Sequence, residues 1–177
     1  MTIKIIFESH STTFDNENKL ASGWYDTDLS SLGIEQSKEL GNRRRSQNFD
    51  AVFCADQLRA YKSAAIAFAD TNIPIFIDSR LRECNYGDLN QCEKSVVDGQ
   101  RLERIYTPYP NGESYIQTCD RMFSFLEYLK NNFDGKKILI IGARATQFGI
   151  QNYIQKIPYE ELVVAKFNWQ PGWEYNL

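Results

Sequence analysis

The sequence predicts an α/β domain in three layers, a mostly parallel central sheet with helices on both faces. Three observations lead there. Short β-branched runs alternate with apolar stripes at helical spacing along most of the chain. One run, Lys136-Lys-Ile-Leu-Ile-Ile-Gly142, is apolar without alternation, as a strand covered on both faces must be. The length of 177 residues, 42% hydrophobic and 24% charged, suits one domain with a full core and excludes general disorder.

The elements follow in order. Ile3–Phe7 reads as a buried strand running into a polar turn over Glu8–Thr13. An Asn- and Asp-rich loop reaches Leu29, and Ser30 then caps a helix whose face carries Leu32, Gln36, Leu40 and Arg43. The run Arg43-Arg44-Arg45 reads as the solvated end of that helix, where cations favour the dipole. Asp50–Cys54 is a second strand, and Asp56 is positioned to cap a helix through Ala60, Ala64 and Phe68. Ile73–Ile77 is a third strand, with Pro74 marking a strand start or an edge. Leu81–Gly112 has mixed periodicity and reads as an insertion-like loop region. Ile116, Cys119, Met122, Phe123, Leu126, Leu129 and Phe133 form the clearest helical stripe. After the Lys136–Gly142 strand come a helix around Thr146–Gln155 and a final strand at Leu162–Phe167. No repeat, linker or second domain interrupts residues 1–177, which read as a single domain.

Charge and composition narrow the function classes. A net charge of -3 gives no electrostatic footprint for nucleic acid or for an anionic membrane. No run approaches the ~20 apolar residues that span a bilayer, and the short apolar start lacks a signal-peptide core. Four cysteines, Cys54, Cys84, Cys92 and Cys119, show no C-x-x-C spacing, and there is one histidine, so neither a metal site nor a cofactor is expected. Scattered, reduced thiols suit the cytoplasm.

In parallel sheets, ligands bind beyond the carboxyl ends of the strands. Three strand exits therefore matter: Glu8-Ser9-His10, Cys54-Ala55-Asp56 and Gly142-Ala143-Arg144. The only histidine sits at the first of them. Its segment, Ser9-His10-Ser11-Thr12-Thr13, resembles the Arg-His-Gly-x-Thr motif of the histidine phosphatase (phosphoglycerate mutase-like) superfamily. Further segments match in order: Gly23-Trp24, then Asp28-Leu29-Ser30 with Gly33 and Gln36; Phe49-Asp50 with Asp56 and Arg59-Ala60; Leu81-Arg82-Glu83 with Tyr86-Gly87; Gly112-Glu113-Ser114 with Arg121. The resemblance spans about Ile3 to Thr146 and implies a phosphoglycerate mutase-like fold.

By motif position, the resemblance makes His10 the nucleophile that is transiently phosphorylated, which requires a neutral ring nitrogen aimed at phosphorus. Glu83 matches the general acid, a carboxyl that protonates the leaving oxygen and later activates water. Arg59 matches a guanidinium that neutralises phosphoryl oxygens. Two departures stand out: Ser9 replaces the arginine before the nucleophile, and Ala143 occupies the position of the second pocket histidine. A subgroup reading Glu-Ala-His-Ala-Thr-Thr also lacks that arginine, resembles the tail Trp169-Gln-Pro-Gly-Trp173-Glu-Tyr175, and keeps histidine where Ala143 stands. Each lost donor to a developing oxyanion costs roughly 10²–10³ in rate, so two cost on the order of 10⁴ or more if independent. Arg144 is a candidate replacement phosphate ligand, and Lys62, one turn beyond Arg59, a weaker one. Trp24, Trp169 and Trp173 read as packing residues or as an aromatic wall for an organic substrate.

The expected function is thus a phosphatase-type hydrolysis of a small phosphorylated metabolite through phosphohistidine, impaired by Ser9 and Ala143. The alternative is an inactive relative that binds an anionic ligand or a protein partner. A mutase ranks behind both, because the mutases of this family carry extra segments.

Overall fold

The computed structural model describes all 177 residues. Five strands form one sheet: β1 (Lys4–Ser9), β2 (Ala51–Cys54), β3 (Ile75–Ile77), β4 (Lys137–Gly142) and β5 (Trp173–Asn176), in the order β3-β2-β4-β1-β5. The first four strands run parallel, and β5 returns antiparallel along β1. Seven helices complete the domain: α1 (Phe14–Glu17), α2 (Ser31–Arg44), α3 (Leu58–Ala67), α4 (Lys94–Gln100), α5 (Tyr115–Asn132), α6 (Arg144–Ile150) and α7 (Tyr159–Val164). α2 packs on α3 and α5 on α6, giving helical layers about the sheet.

Why these residues form these elements is visible in burial and caps. Ile138–Ile141 of β4 are fully buried, which places the continuously apolar run at the centre of the sheet. β3, behind Pro74, is one of the two edge strands. Ser30 accepts from the Gly33 N–H and starts α2, while Ser114 and Gln117 form a reciprocal capping box on α5. The stripe of α5 buries Cys119, Met122, Leu126 and Leu129. Residues 81–112 contain short 3₁₀ turns and α4, and they are held by a second apolar cluster in which Tyr86, Tyr109, Tyr115 and Phe148 meet edge to face.

Three expectations are corrected. Leu162–Phe167 is not the final strand. Pro158 precedes Glu160 and Glu161 in a first turn of helical type, so Leu162 and Val163 lie buried on α7, and an exposed segment leads to β5 at Trp173. Asp56 does not cap α3: its carboxylate pairs with Arg82, and Asp26 accepts from the Leu58 N–H at 2.6 Å instead. The arginine run lies at the end of α2 as expected, yet Arg44 is only 7% exposed and its Nε donates to buried Glu8 at 2.7 Å.

Candidate active site

Strand order decides which segments meet. β2, β4 and β1 are parallel neighbours, so the segments leaving them, 55–59, 143–144 and His10, emerge side by side at one sheet edge. The His10 N–H donates to the Gly142 carbonyl at 2.9 Å, which seats the residue beside the turn into α6. Its half-buried ring places Nδ1 2.9 Å from the Ser11 carbonyl oxygen. A carbonyl can only accept, so Nδ1 carries the proton and Nε2 of the neutral ring holds the free lone pair. Burial, and after it the Arg59 guanidinium, push the imidazole from its ordinary 6.5 down to about 3, against the opposing Ser11 contact. The ring is neutral at neutral pH.

The loop after His10 is pinned from two helices. The Ser11 N–H donates to Ser63 Oγ of α3, Ser37 Oγ of α2 donates to Ser11 Oγ, and the Thr12 N–H donates to Gln36 Oε1. α2 can approach this closely because residue 33 is glycine: a Cβ there would overlap the Thr12 carbonyl oxygen. Gly33 and Gln36 of the sequence motif therefore act on the loop rather than on a ligand.

Arg59 leaves the first turn of α3 and is 2% exposed. Nη1 donates to the Tyr25 carbonyl, while Nη2 donates to the Gly23 carbonyl and to Gln57 Oε1. Three of its five N–H donors are so engaged, leaving Nε–H and one Nη1–H. Desolvation lowers its pKa, with the Glu83 carboxylate the foremost opposing charge.

Glu83, 8% exposed, lies across the start of α6. Oε1 accepts from the Cys84 and Ala145 N–H groups, and Oε2 from the Arg144 N–H at 3.1 Å. Oε2, with one donor against two, has more coordination left. Arg82 is committed to Asp56, so Glu83 is not its partner. The Glu83 backbone is itself held, its N–H by Gln57 Oε1 and its carbonyl by the indole N–H of Trp24 at 2.8 Å.

Ala143 is buried in extended backbone at φ -117° and ψ 177°, with its N–H donating to Thr146 Oγ1 at 2.9 Å. Arg144 offers its main-chain N–H to Glu83, whereas its guanidinium donates to Gln147 Oε1 and the Ala165 carbonyl and stacks over Phe148 and Phe167. Lys62 is paired with Asp28 at 2.6 Å. Ser9 is half-buried opposite Gly142. Trp169 is exposed against Arg43, and Trp173 packs between Phe7 and Phe167. No cluster of three or more His, Cys, Asp or Glu side chains is arranged to hold a metal ion.

The structure thus brings His10, Glu83 and Ala143 to the turn over residues 142–145, joins Arg59 to Glu83 through Gln57, and turns the Arg144 side chain toward the C-terminal segment. Sequence reasoning missed Gln57, Ser37 and Ser63. The serines left one signal, since Ser63 interrupts the apolar face of Ala60, Ala64 and Ala67. Gln57 left none, because Glu83 and Gly23, which fix its role, lie 26 and 34 positions away.

Comparison with known proteins gives concordant results. Residues 5–168 match the model of the histidine phosphatase superfamily (branch 1). A 2,3-bisphosphoglycerate-dependent phosphoglycerate mutase of Cytophaga hutchinsonii is 29% identical over 170 residues, 89% of this chain and 80% of the relative. Bacillus stearothermophilus YhfR superposes with TM-score 0.85 at 20% identity, covering 96% of this chain and 88% of that one. A mycobacterial glucosyl-3-phosphoglycerate phosphatase in complex with VO3 superposes with TM-score 0.80 at 21% identity, covering 93% and 87%.

Proposed function

Because the chain belongs to the histidine phosphatase superfamily, we propose that it is a phosphatase-type hydrolase of a small phosphorylated metabolite, working through phosphohistidine at His10 at a rate held down by Ser9 and Ala143. One observation carries the reading: a neutral imidazole with its lone pair on Nε2 stands at the same sheet edge as a buried guanidinium and a carboxylate. Nε2 attacks phosphorus in line, the N–P bond forms, and the P–O ester bond breaks. The departing oxygen takes a proton from Glu83. Water then attacks phosphorus as the N–P bond breaks, and its proton returns to Glu83 Oε2. Arg59 faces the phosphoryl oxygens with the two donors that the loop leaves free. The free cysteines, three of them buried, suit a reducing cytoplasm.

Ala143 provides the test. Its extended backbone accepts any side chain without strain, so Ala143→His adds one donor and leaves the turn as it is. Hydrolysis of an aryl phosphate should rise by roughly 10²–10³, the worth of one preorganised donor. The Arg144 guanidinium, held on Gln147 and Ala165, supplies no replacement donor, and the second reading is a relative without turnover that binds an anion on Arg59. No gain from Ala143→His, with the circular dichroism unchanged, selects that reading.

A further inference from the structure

We infer that Gln57 is a positioning residue of this site, holding Arg59, the Glu83 segment and the Gly23 loop as one hydrogen-bonded unit; the inference rests on the phosphatase reading above. The Gln57 side chain is 6% exposed. Its Oε1 accepts from the Glu83 N–H at 3.1 Å and from Arg59 Nη2 at 3.1 Å, and its Nε2 donates to the Gly23 carbonyl at 2.8 Å. The same carbonyl accepts Arg59 Nη2 at 2.8 Å, which closes a ring of contacts through Gln57, Arg59 and Gly23. The amide orientation is fixed by its neighbours: turned over, the NH₂ would face two N–H donors and the oxygen a carbonyl.

Chain position would give Gln57 a different duty. It is the N-cap residue of α3, yet its side chain makes no capping bond there, and Asp26 serves the Leu58 N–H instead. The carboxamide is thereby released toward the site. Its anchor is rigid: Gly23 sits at φ +50°, a Cβ there would overlap Asn90 Oδ1, and Asn90 Oδ1 also accepts the Trp24 N–H. Without the carboxamide, a buried Arg59 N–H and the Glu83 N–H both lose their acceptor. The guanidinium then has one restraint fewer on the direction of its two free donors, and the Glu83 carboxylate loses the restraint on its backbone. A misplacement of about 1 Å at such groups can cost on the order of 10² in rate.

Gln57→Met preserves length and removes every hydrogen bond. It should lower kcat/KM for an aryl phosphate, and the affinity for inorganic phosphate measured by calorimetry, by about tenfold or more. In an Arg59→Met background the same change should cost phosphate affinity less than about twofold, because the effect of Gln57 on affinity runs through Arg59. An equal factor in both backgrounds, or native turnover and phosphate affinity in the single variant, overturns the inference. Amide exchange at Glu83 gives a reading independent of activity. It should quicken at least about tenfold in Gln57→Met while the β4 amides keep their protection. Should Gln57→Met fail to fold, Gln57→Ala removes the carboxamide without adding bulk, and native protection at Glu83 in that variant overturns the inference. A native chain that neither hydrolyses nor binds phosphate defeats the phosphatase reading. Glu83 exchange then decides the positioning claim alone, and equal protection in both forms rejects it.

Discussion

His10 is the only histidine in the chain, so its protonation is followed without interference from a second imidazole. Its folded pKa is depressed to about 3 from 6.5. Between those values the unfolded chain binds a proton that the folded chain refuses, so stability rises with pH there. The contribution is complete above about 6.5 and is lost as the pH falls toward about 3. Thermal midpoints across that window should therefore fall more steeply for the native protein than for His10→Gln; parallel curves would show that the ring is not held neutral by the fold. Turnover should likewise show no acid limb from His10 near its ordinary pKa. Gly33 is the other position where one atom decides the site. Gly33→Ala forces the Thr12 carbonyl aside, and it should cost about 1–3 kcal/mol in denaturant unfolding together with much of the turnover.

Elements are joined beneath the site by a buried ion cluster. Glu8, on β1 two residues before His10, accepts from Arg44 Nε at 2.7 Å and Arg43 Nη2 at 3.1 Å, and Arg44 Nη2 reaches the Pro171 carbonyl. One guanidinium thus ties the end of α2 to β1 and to the segment before β5. Arg44→Met leaves a buried carboxylate with one partner and should cost about 3–5 kcal/mol in denaturant unfolding. Added salt should change that loss little, because the cluster is shielded from the solvent. This cluster marks the boundary of what sequence shows. The apolar run of β4, the stripe of α5 and the Ser30 cap were legible because each is a local pattern. Arg44 looked like a solvated cation because its partner lies 36 positions earlier. The Leu162–Phe167 stretch looked like a strand because Val163 and Val164 favour one; the acidic turn behind Pro158 and the burial of only Leu162 and Val163 made it a helix. Asp56 looked like a cap because the competing Asp26 arrives from a distant loop.

At the scale of the whole molecule, the motif segments were legible as positions, and the hydrogen bonds that unite them were not. His10, Arg59 and Glu83 could be named from short patterns, whereas the Gln57 links depend on how three loops fold over one edge. β5 has a comparable role for the sheet. It pairs with Lys4–Phe7 and covers what would otherwise be an open strand edge. Deleting residues 173–177 should uncover that edge, and light scattering should show association at concentrations where the full chain stays dispersed. The register of β1 also carries a consequence in time. Lys4 has Lys137 on one side and Asn176 on the other, so both partners of β1 are synthesised long after it. The growing chain therefore holds β1 without either partner until β4 has been made. His10 cannot meet the Gly142 carbonyl until β4 exists, so a chain terminated before β4 cannot seat His10 beside the turn into α6.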